Sequence, residues 1–211
     1  MSLTINYKMK IICIGRNYED HVSELQNERP DSPVIFIKPD SSIILKNQPF
    51  FIPDYSNEIN YEIEVILKIC KLGKSIEKKF AKTYYDQVGL GIDFTARDLQ
   101  FELKSKGLPW EKAKAFDGSA LIGNWINKTE FKNLNDINFS MNKNGSLVQK
   151  GNTSQMMWNF DELISEISKF FTLKIGDVIF TGTPAGVGKV NRGDKLEGFI
   201  NNNHNFKINI K

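Results

Sequence analysis

Features that mark several large protein classes are scarce in this 211-residue sequence. It contains only two cysteines, Cys13 and Cys70, each within an apolar run. This usage predicts buried, reduced thiols in a cytoplasmic protein and argues against a disulfide-stabilised secreted domain. No apolar stretch approaches the roughly 20 residues of a membrane span, and the first residues lack the basic and apolar regions of a secretory signal. We therefore expect neither a membrane protein nor a secreted one.

An excess of charge of one sign is also lacking. The chain has 28 Lys and Arg residues against 25 Asp and Glu residues, for a net charge of +3. No run of basic residues supplies the positive face that nucleic-acid binding requires, so nucleic acid is not an expected partner. What is present is 40% hydrophobic and 25% charged residues, an ordinary globular composition. The length predicts a single domain over residues 1–211, with residues 1–9 as a short N-terminal extension.

Short apolar or alternating runs, bounded by Gly, Pro, Asn or Asp, predict most of the secondary structure as strands. Asn144-Gly145 and Asn201-Asn202-Asn203 predict tight turns between strands. A helix is predicted over residues 159–171, where Asn159 and Glu162 match a capping box, and weaker helices over residues 95–106 and 18–25. Many strands, few helices and no regular βαβ alternation predict a β-dominated α+β fold. The predicted strands are residues 10–14, 34–38, 61–70, 87–93, 138–143, 147–150, 177–181, 195–200 and 206–210.

Three acidic residues are candidates for a metal site. Glu62 and Glu64 lie in the strand predicted over residues 61–70, so their carboxylates share one face about 7 Å apart and repel each other. A bound cation would relieve the repulsion, but a solvated edge strand would accommodate both groups equally well. Asp93 ends another apolar strand; it either completes an all-oxygen site suited to Mg²⁺, Mn²⁺ or Ca²⁺, or caps the helix that begins near Thr95.

One of the two histidines has a partner for acid–base chemistry. If residues 18–25 are helical, His21 and Glu24 are neighbours, and the carboxylate can orient the imidazole as a general base. A surface histidine without function is the alternative. His204 lies in the Asn-rich turn and is predicted to be solvated. Lys114, placed between aromatic residues, is either a partly desolvated cation for substrate or a side chain that reaches to solvent.

A strand followed by a glycine-rich loop over residues 178–190 is similar to a phosphate-binding loop, but the fingerprint fails. Thr183 stands at the first glycine position and Val190 replaces the required Ser or Thr. Gly89-x-Gly91 does not complete a dinucleotide fingerprint either. The loop instead has free backbone N–H groups suited to holding a carboxylate, or is an ordinary tight turn.

Six motifs occur in a fixed order between residues 10 and about 200. In this combination they resemble the fumarylacetoacetate hydrolase superfamily, and in particular its short single-domain subgroup, which includes acylpyruvases and oxaloacetate decarboxylases. The motifs are Gly15-Arg16-Asn17-Tyr18 with His21 and Glu24, Phe36-Ile37-Lys38-Pro39, Glu62-x-Glu64, Asp93-x-Thr95-Ala96-Arg97-Asp98-x-Gln100, Gly107-Leu108-Pro109-Trp110 followed by Lys114, and Thr181-Gly182-Thr183-Pro184-x-Gly186-Val187-Gly188.

The resemblance implies a fold and a set of reactions. The fold is a mixed β-roll of the family's C-terminal-domain type, forming one catalytic domain that is usually a homodimer. The first function implied is a divalent-metal-dependent hydrolase that cleaves a C–C bond in acylpyruvate-type 2,4-diketo acids through an enolate stabilised by the metal. The alternatives are an oxaloacetate decarboxylase or a 2-hydroxy-dienedioate keto–enol isomerase on the same site, and a non-catalytic metal- or ligand-binding β-module.

The resemblance also assigns roles to individual residues. Mg²⁺ or Mn²⁺ would be bound by Glu62, Glu64 and Asp93. His21, oriented by Glu24, would be the general base, and Lys114 would neutralise developing oxyanion charge. A small 2-keto acid would be held by Arg16, Gln100 and Thr183, under a lid formed by residues 16 to about 30. Asn60 departs from the family pattern, because many members carry Asp or His there.

Overall fold

The computed structural model describes residues 9–26 and 28–211. The predicted N-terminal extension, apart from Met9, and Asn27 of the predicted lid lie outside the described residues. The strands are β1 (Ile11–Gly15), β2 (Val34–Lys38), β3 (Ile59–Tyr61), β4 (Ile63–Ile69), β5 (Tyr85–Asp93), β6 (Thr95–Ala96), β7 (Ala120–Ile122), β8 (Ile126–Asn127), β9 (Asn138–Lys143), β10 (Ser146–Asn152), β11 (Val178–Phe180), β12 (Gly188–Lys189), β13 (Lys195–Ile200) and β14 (Asn203–Asn209). The α-helices are α1 (Glu19–Glu24), α2 (Lys78–Ala81), α3 (Arg97–Ser105), α4 (Glu111–Lys114) and α5 (Phe160–Phe170), with short 3-10 helices at Asp40–Ser42, Lys128–Glu130 and Thr153–Gln155.

Three sheets form the described part of the fold. The largest has the strand order β2-β1-β11-β4-β5-β7, with β8 also paired to β5. Within it β1 and β11 are parallel, and the other pairs are antiparallel. A four-stranded sheet has the order β10-β9-β13-β14, and a small sheet has the order β12-β3-β6. The strand-dominated α+β class predicted from the sequence is confirmed.

The strand directions bring several chain segments to one end of the large sheet. Since β4 and β5 are antiparallel, with Glu64 opposite Gly91, the start of β4 and the end of β5 lie side by side. β11 runs antiparallel to β4 and parallel to β1, so the residues that follow β1 and β11 reach the same end. The predicted site residues in the first loop, the acidic segments and the glycine-rich loop therefore converge there.

The strand predicted over residues 61–70 is not continuous. It divides at Glu62: β3 pairs with β6 and β12 in the small sheet, whereas β4 pairs with β5 and β11 in the large one. At the break, the carbonyl of Glu62 accepts a hydrogen bond from the backbone N–H of Asp93. The prediction was wrong on this point because alternating polarity shows that a segment is extended but not which sheet it joins.

The predicted turns and the long helix are confirmed. Asn144 and Gly145 both have positive φ, 53° and 85°, as the tightest hairpin turns require, and join β9 to β10. At α5 the Asn159 side chain accepts hydrogen bonds from the backbone N–H groups of Asp161 and Glu162, and the Glu162 carboxylate accepts one from the backbone N–H of Asn159. This capping box satisfies the first turn of the helix and fixes its start.

The apolar residues of α5 and of the central strands form the core. Leu163, Ile164 and Ile167 are fully buried, whereas Phe170 at the end of the helix is exposed. Cys13 is buried in β1 as predicted, but Cys70 is half-exposed because β4 ends one residue before it. Both thiols are free. No helix in the described ranges is both long and apolar enough to cross a membrane.

Candidate functional site

Three buried carboxylates meet at the convergent end of the large sheet. Glu62 lies between β3 and β4, Glu64 is in β4, and Asp93 ends β5; one oxygen from each lies within 4.8 Å of the others. All three are at most 4% exposed, so the solvated edge strand is the wrong interpretation. Asp93 does not cap α3 either, because that helix begins at Arg97 without a side-chain cap.

Three basic side chains surround the carboxylates. Lys114 is buried and donates from Nζ to Glu62 Oε2 at 2.7 Å, Asp93 Oδ2 at 2.8 Å and the Thr95 hydroxyl at 2.6 Å. Arg97 forms an ion pair with the other oxygen of Glu62. The fully buried Lys38 lies 2.8 Å from Asp93 Oδ1. Lys114 is therefore a desolvated cation at the carboxylates and not a side chain that extends to solvent.

The surrounding groups shift the pKa values of Glu62 and Glu64 in opposite directions. Burial alone would raise the pKa of Glu62, but the adjacent Lys114 and Arg97 charges outweigh it and hold that pKa below its usual value. Burial raises the pKa of Glu64 well above its usual value, and the nearby Asp93 and Glu62 charges raise it further. Burial alone would lower the pKa of Lys114, but attraction to the Asp93 and Glu62 charges outweighs it and raises that pKa above its usual value. Of the two glutamates, Glu64 therefore keeps its proton to the higher pH.

His21, on helix α1, lines the same small cavity as the three carboxylates. It is only 6% exposed, which excludes the surface histidine, and its Nδ1 is 3.2 Å from Glu24 Oε2. Burial lowers the pKa of His21 below its usual value, although the Glu62 and Glu24 charges act in the opposite direction. The imidazole is consequently neutral at pH 7, with Nε2 left to accept a proton. His204 is exposed in β14, as predicted.

The glycine-rich loop that follows β11 binds carboxylates, but these belong to the protein itself. The backbone N–H of Gly182 donates to Glu64 Oε2 at 2.7 Å, and that of Gly186 donates to Glu24 Oε1 at 3.0 Å. Thr183 is buried and its hydroxyl accepts from Gln149 Nε2 at 3.0 Å. The loop therefore positions Glu64, a predicted metal ligand, and Glu24, the partner of His21.

These side chains enclose a cavity of about 40 Å³. Its wall contains eight of the nine predicted site residues, and the ninth, Glu24, contacts it through His21. Arg97, Lys104 and Trp110 also form part of the wall. The eight are Arg16, His21, Glu62, Glu64, Asp93, Gln100, Lys114 and Thr183.

Residues 10–211 match the family model described as fumarylacetoacetate (FAA) hydrolase C-terminal. The chain belongs to the fumarylacetoacetate hydrolase family. It is 38% identical over 206 residues to the mitochondrial oxaloacetate tautomerase of Caenorhabditis elegans, a match that covers 98% of this chain and 96% of that protein. It is also 41% identical over 189 residues to the mitochondrial oxaloacetate decarboxylase of Dictyostelium discoideum, covering 89% and 87%.

Solved structures of the fumarylacetoacetate hydrolase family share the fold. The fumarylpyruvate hydrolase of Pseudomonas aeruginosa, solved in complex with Mn²⁺ and pyruvate, superposes with a TM-score of 0.90 at 32% identity, covering 96% of this chain and 89% of that one. The predicted fold type, and the prediction of an enzyme of this family, are confirmed. The non-catalytic β-module is left without support.

The carboxylates fit the metal that the family implies. Lys38 lies beside Asp93 Oδ1, but its three hydrogen bonds go to the Lys114 carbonyl and to the carbonyl and hydroxyl of Ser119. Asp93 Oδ1 is consequently buried without a hydrogen bond from any described residue. Three converging buried carboxylates, one with an oxygen that accepts no hydrogen bond from the described residues, can hold a hard divalent cation.

Sequence reasoning assigned no role to several residues of the site. Lys38 and Arg97 lie inside the motifs, and a lysine closing an apolar strand was a signal that could have identified Lys38. Gln149, which bonds both Thr183 and the Ile63 backbone N–H, had no local signal. Asn60 is buried in β3, and its Oδ1 has no hydrogen-bond partner within residues 9–26 and 28–211.

Proposed function

We propose that this chain is a divalent-metal-dependent enzyme that catalyses the keto–enol tautomerisation of oxaloacetate. The observation that carries the proposal is a neutral, oriented imidazole, His21, beside three buried carboxylates. The names of the relatives support oxaloacetate as substrate and displace acylpyruvate hydrolysis as first choice. Decarboxylation of oxaloacetate on the same site is the second candidate, favoured by the relative from Dictyostelium discoideum.

Glu62, Glu64 and Asp93 would hold Mg²⁺ or Mn²⁺, which when bound polarises the 2-keto group and stabilises negative charge on its oxygen. His21 Nε2 takes the proton from the C3 carbon while Glu24 holds Nδ1. The electron pair of the broken C–H bond forms the C2–C3 double bond while the C2–O π pair moves onto the keto oxygen. That oxygen then takes a proton from the His21 imidazolium, which completes the enol and restores the neutral imidazole. In decarboxylation the C3–C4 bond breaks instead; its electron pair forms the C2–C3 double bond of enolpyruvate as CO₂ leaves, and a proton from solvent at C3 then gives pyruvate.

The other wall residues bind substrate and stabilise charge. Lys114 carries a full positive charge beside the carboxylates and neutralises the developing oxyanion. Arg16, Gln100 and Thr183 contact substrate oxygens. Arg97 acts indirectly, because its guanidinium joins Glu62 to the Gln100 side chain, with a 2.6 Å bond to Gln100 Oε1.

The cavity is narrow, about 40 Å³, and we propose that one of its walls moves to admit a four-carbon diacid. Helix α1 and the residues beside it supply Arg16, His21 and Leu25 to that wall. We propose that this segment is the lid, which opens for substrate and returns His21 to the site on closing.

Three properties predicted from the sequence remain predictions. The single catalytic domain over residues 1–211, with residues 1–9 as a short extension, is a proposal that the family match over residues 10–211 supports. The homodimer is tested by light scattering on the purified protein. The cytoplasmic location is tested by cell fractionation, which distinguishes it from the mitochondrial location named for the relatives from Caenorhabditis elegans and Homo sapiens.

The test follows oxaloacetate by two readouts, enol absorbance and pyruvate formation, each against a protein-free Mg²⁺ blank. Accelerated keto–enol equilibration without pyruvate supports the tautomerase, and stoichiometric pyruvate supports the decarboxylase. His21→Gln should slow tautomerisation by about 10²- to 10⁴-fold, the usual contribution of a general base. The matched control His204→Gln, at the exposed histidine, should retain the wild-type rate. No acceleration of either reaction by the Mg²⁺-loaded wild type would refute the proposal.

A further inference from the structure

Helix α3 presents one line of polar side chains to the cavity. Arg97, Gln100 and Lys104 are spaced three and four residues apart, so they lie on the same helix face, and all three form part of the cavity wall. Arg97 and Gln100 are already engaged with each other and with Glu62. Lys104 lies one turn further along, about 6 Å from Gln100 along the helix axis.

Lys104 is a half-buried cation with more positive than negative groups around it. It forms no ion pair with a carboxylate of the described chain; its ammonium instead lies 5.1 Å from the ring centre of Trp110. Its charged neighbours at the cavity are mainly positive: Arg16, Arg97 and Lys114, opposed by Glu62. Burial, and then the repulsion of these cations, lowers the pKa of Lys104 to about 8. Such an arrangement is unfavourable unless an anion enters.

The charge around the cavity fits a dianion better than a monoanion. The wall contains four basic side chains against three carboxylates, and a bound divalent cation would add two positive charges. The carboxylate at the keto end of the substrate would bind at the metal. A second carboxylate three carbon–carbon bonds away, roughly 4 Å, would extend from the acidic cluster along α3.

We propose that Lys104 binds the second carboxylate of a dicarboxylic 2-keto acid and thereby makes the site prefer dianionic over monoanionic substrates. The proposal rests on the proposed function for its assay, but its geometric basis is independent of which reaction follows. Trp110 holds the ammonium at the cavity wall before substrate binds.

The experiment compares oxaloacetate with 2-oxobutyrate, which has the same carbon skeleton but a methyl group in place of the second carboxylate. KM is measured for oxaloacetate, and the inhibition constant for 2-oxobutyrate as a competitor, at saturating Mg²⁺. Lys104→Met should raise the KM for oxaloacetate about 10- to 100-fold, the value of one charge-assisted hydrogen bond. The inhibition constant of 2-oxobutyrate should change by less than about twofold. Lys104→Arg should restore a KM near that of the wild type.

The matched control is Lys106→Met, at an exposed lysine near the end of the same helix that pairs with Glu102. It should leave both constants unchanged. Equal weakening of both ligands in Lys104→Met, or no change in the KM for oxaloacetate, would overturn the assignment.

Failure of the proposed function is a separate outcome. If the wild type does not turn over oxaloacetate, that function is wrong, and ligand-induced melting-temperature shifts then decide the role of Lys104. Oxaloacetate should raise the melting temperature of the Mg²⁺-loaded wild type more than 2-oxobutyrate does. The difference should vanish in Lys104→Met; if it persists, or if the wild type shows none, the proposal is wrong.

Discussion

Replacing Glu64 with Gln should separate metal binding from folding. In the metal-free protein, Glu64 is buried and favours its neutral form, because burial and the Asp93 and Glu62 charges raise its pKa. Its Oε2 accepts a hydrogen bond from Gly182, which the amide oxygen of Gln can accept as well. Glu64→Gln therefore imitates the neutral carboxyl in shape and charge. The metal-free variant should be at least as stable as the wild type at pH 7.

A divalent cation should raise the Tm of the wild type more than that of Glu64→Gln. At a concentration 100 times its Kd, an ion that binds only the folded state stabilises it by about 2.7 kcal/mol. For a chain of this size, each kcal/mol raises Tm by about 2–4 °C, so Mg²⁺ or Mn²⁺ should raise the wild-type Tm by about 5–11 °C. Glu64→Gln removes one of three charged ligands, and its Tm should rise by less than about 2 °C.

The pH dependence has a defined sign in the metal-free state. A group whose pKa is raised by folding stabilises the folded state at low pH, and that stability is lost as pH rises through the folded pKa. The wild type should therefore lose more stability than Glu64→Gln between pH 5 and pH 8. The exposed Glu102 provides a control, and Glu102→Gln should keep the full metal-dependent shift. A wild-type-sized metal shift in Glu64→Gln, or a metal-free Tm several degrees below wild type, would refute the reasoning.

Two further substitutions test the surroundings of the carboxylates. Glu24→Gln removes a charge that raises the pKa of His21, so the rising limb of the pH–rate profile should move to lower pH and kcat should fall; a limb that moves to higher pH contradicts the assignment. Lys38→Met removes one of the two buried ammonium groups paired with Asp93 and leaves the Lys114 and Ser119 carbonyls without their donor, so it should lower the free energy of unfolding in urea by about 3–5 kcal/mol. Lys106→Met, at a surface pair, should cost less than about 1 kcal/mol, and equal losses in the two variants would contradict this reasoning.

Local chemistry explains which parts of the fold could be predicted from the sequence. The Asn144-Gly145 turn and the Asn159 cap depend on residues no more than a few positions apart, so their patterns are complete in the sequence. The break at Glu62 depends on pairing with β5, β6, β11 and β12, all distant along the chain. Such long-range pairing leaves no local pattern, and the predicted strand consequently ran through Glu62 without interruption.

The site shows the same division between local and distant information. Carboxylates in apolar strands and a histidine beside a glutamate suggest chemistry directly, since burial of such groups needs compensation. Gln149 could not be found in this way, because its amide bonds to Ile63, 86 residues earlier, and to Thr183, 34 residues later. Lys104 was missed for another reason: a lysine on a short helix is ordinary until its neighbours are known to be cations.

The glycine-rich loop after β11 connects the two halves of the proposed chemistry. Gly182 and Gly186 have φ values of 102° and 98°; this conformation directs their N–H groups to Glu64 and Glu24, which belong to the metal site and to the histidine pair respectively. A side chain at Gly186 would place its Cβ 2.4 Å from the Val148 carbonyl oxygen. Glu24 belongs to the proposed lid, so an outward movement of helix α1 would break the bond from Gly186, whereas the bond from Gly182 to Glu64 involves no residue of α1. If the lid opens as proposed, the loop would support the metal ligand in both states and complete the histidine pair only in the closed one.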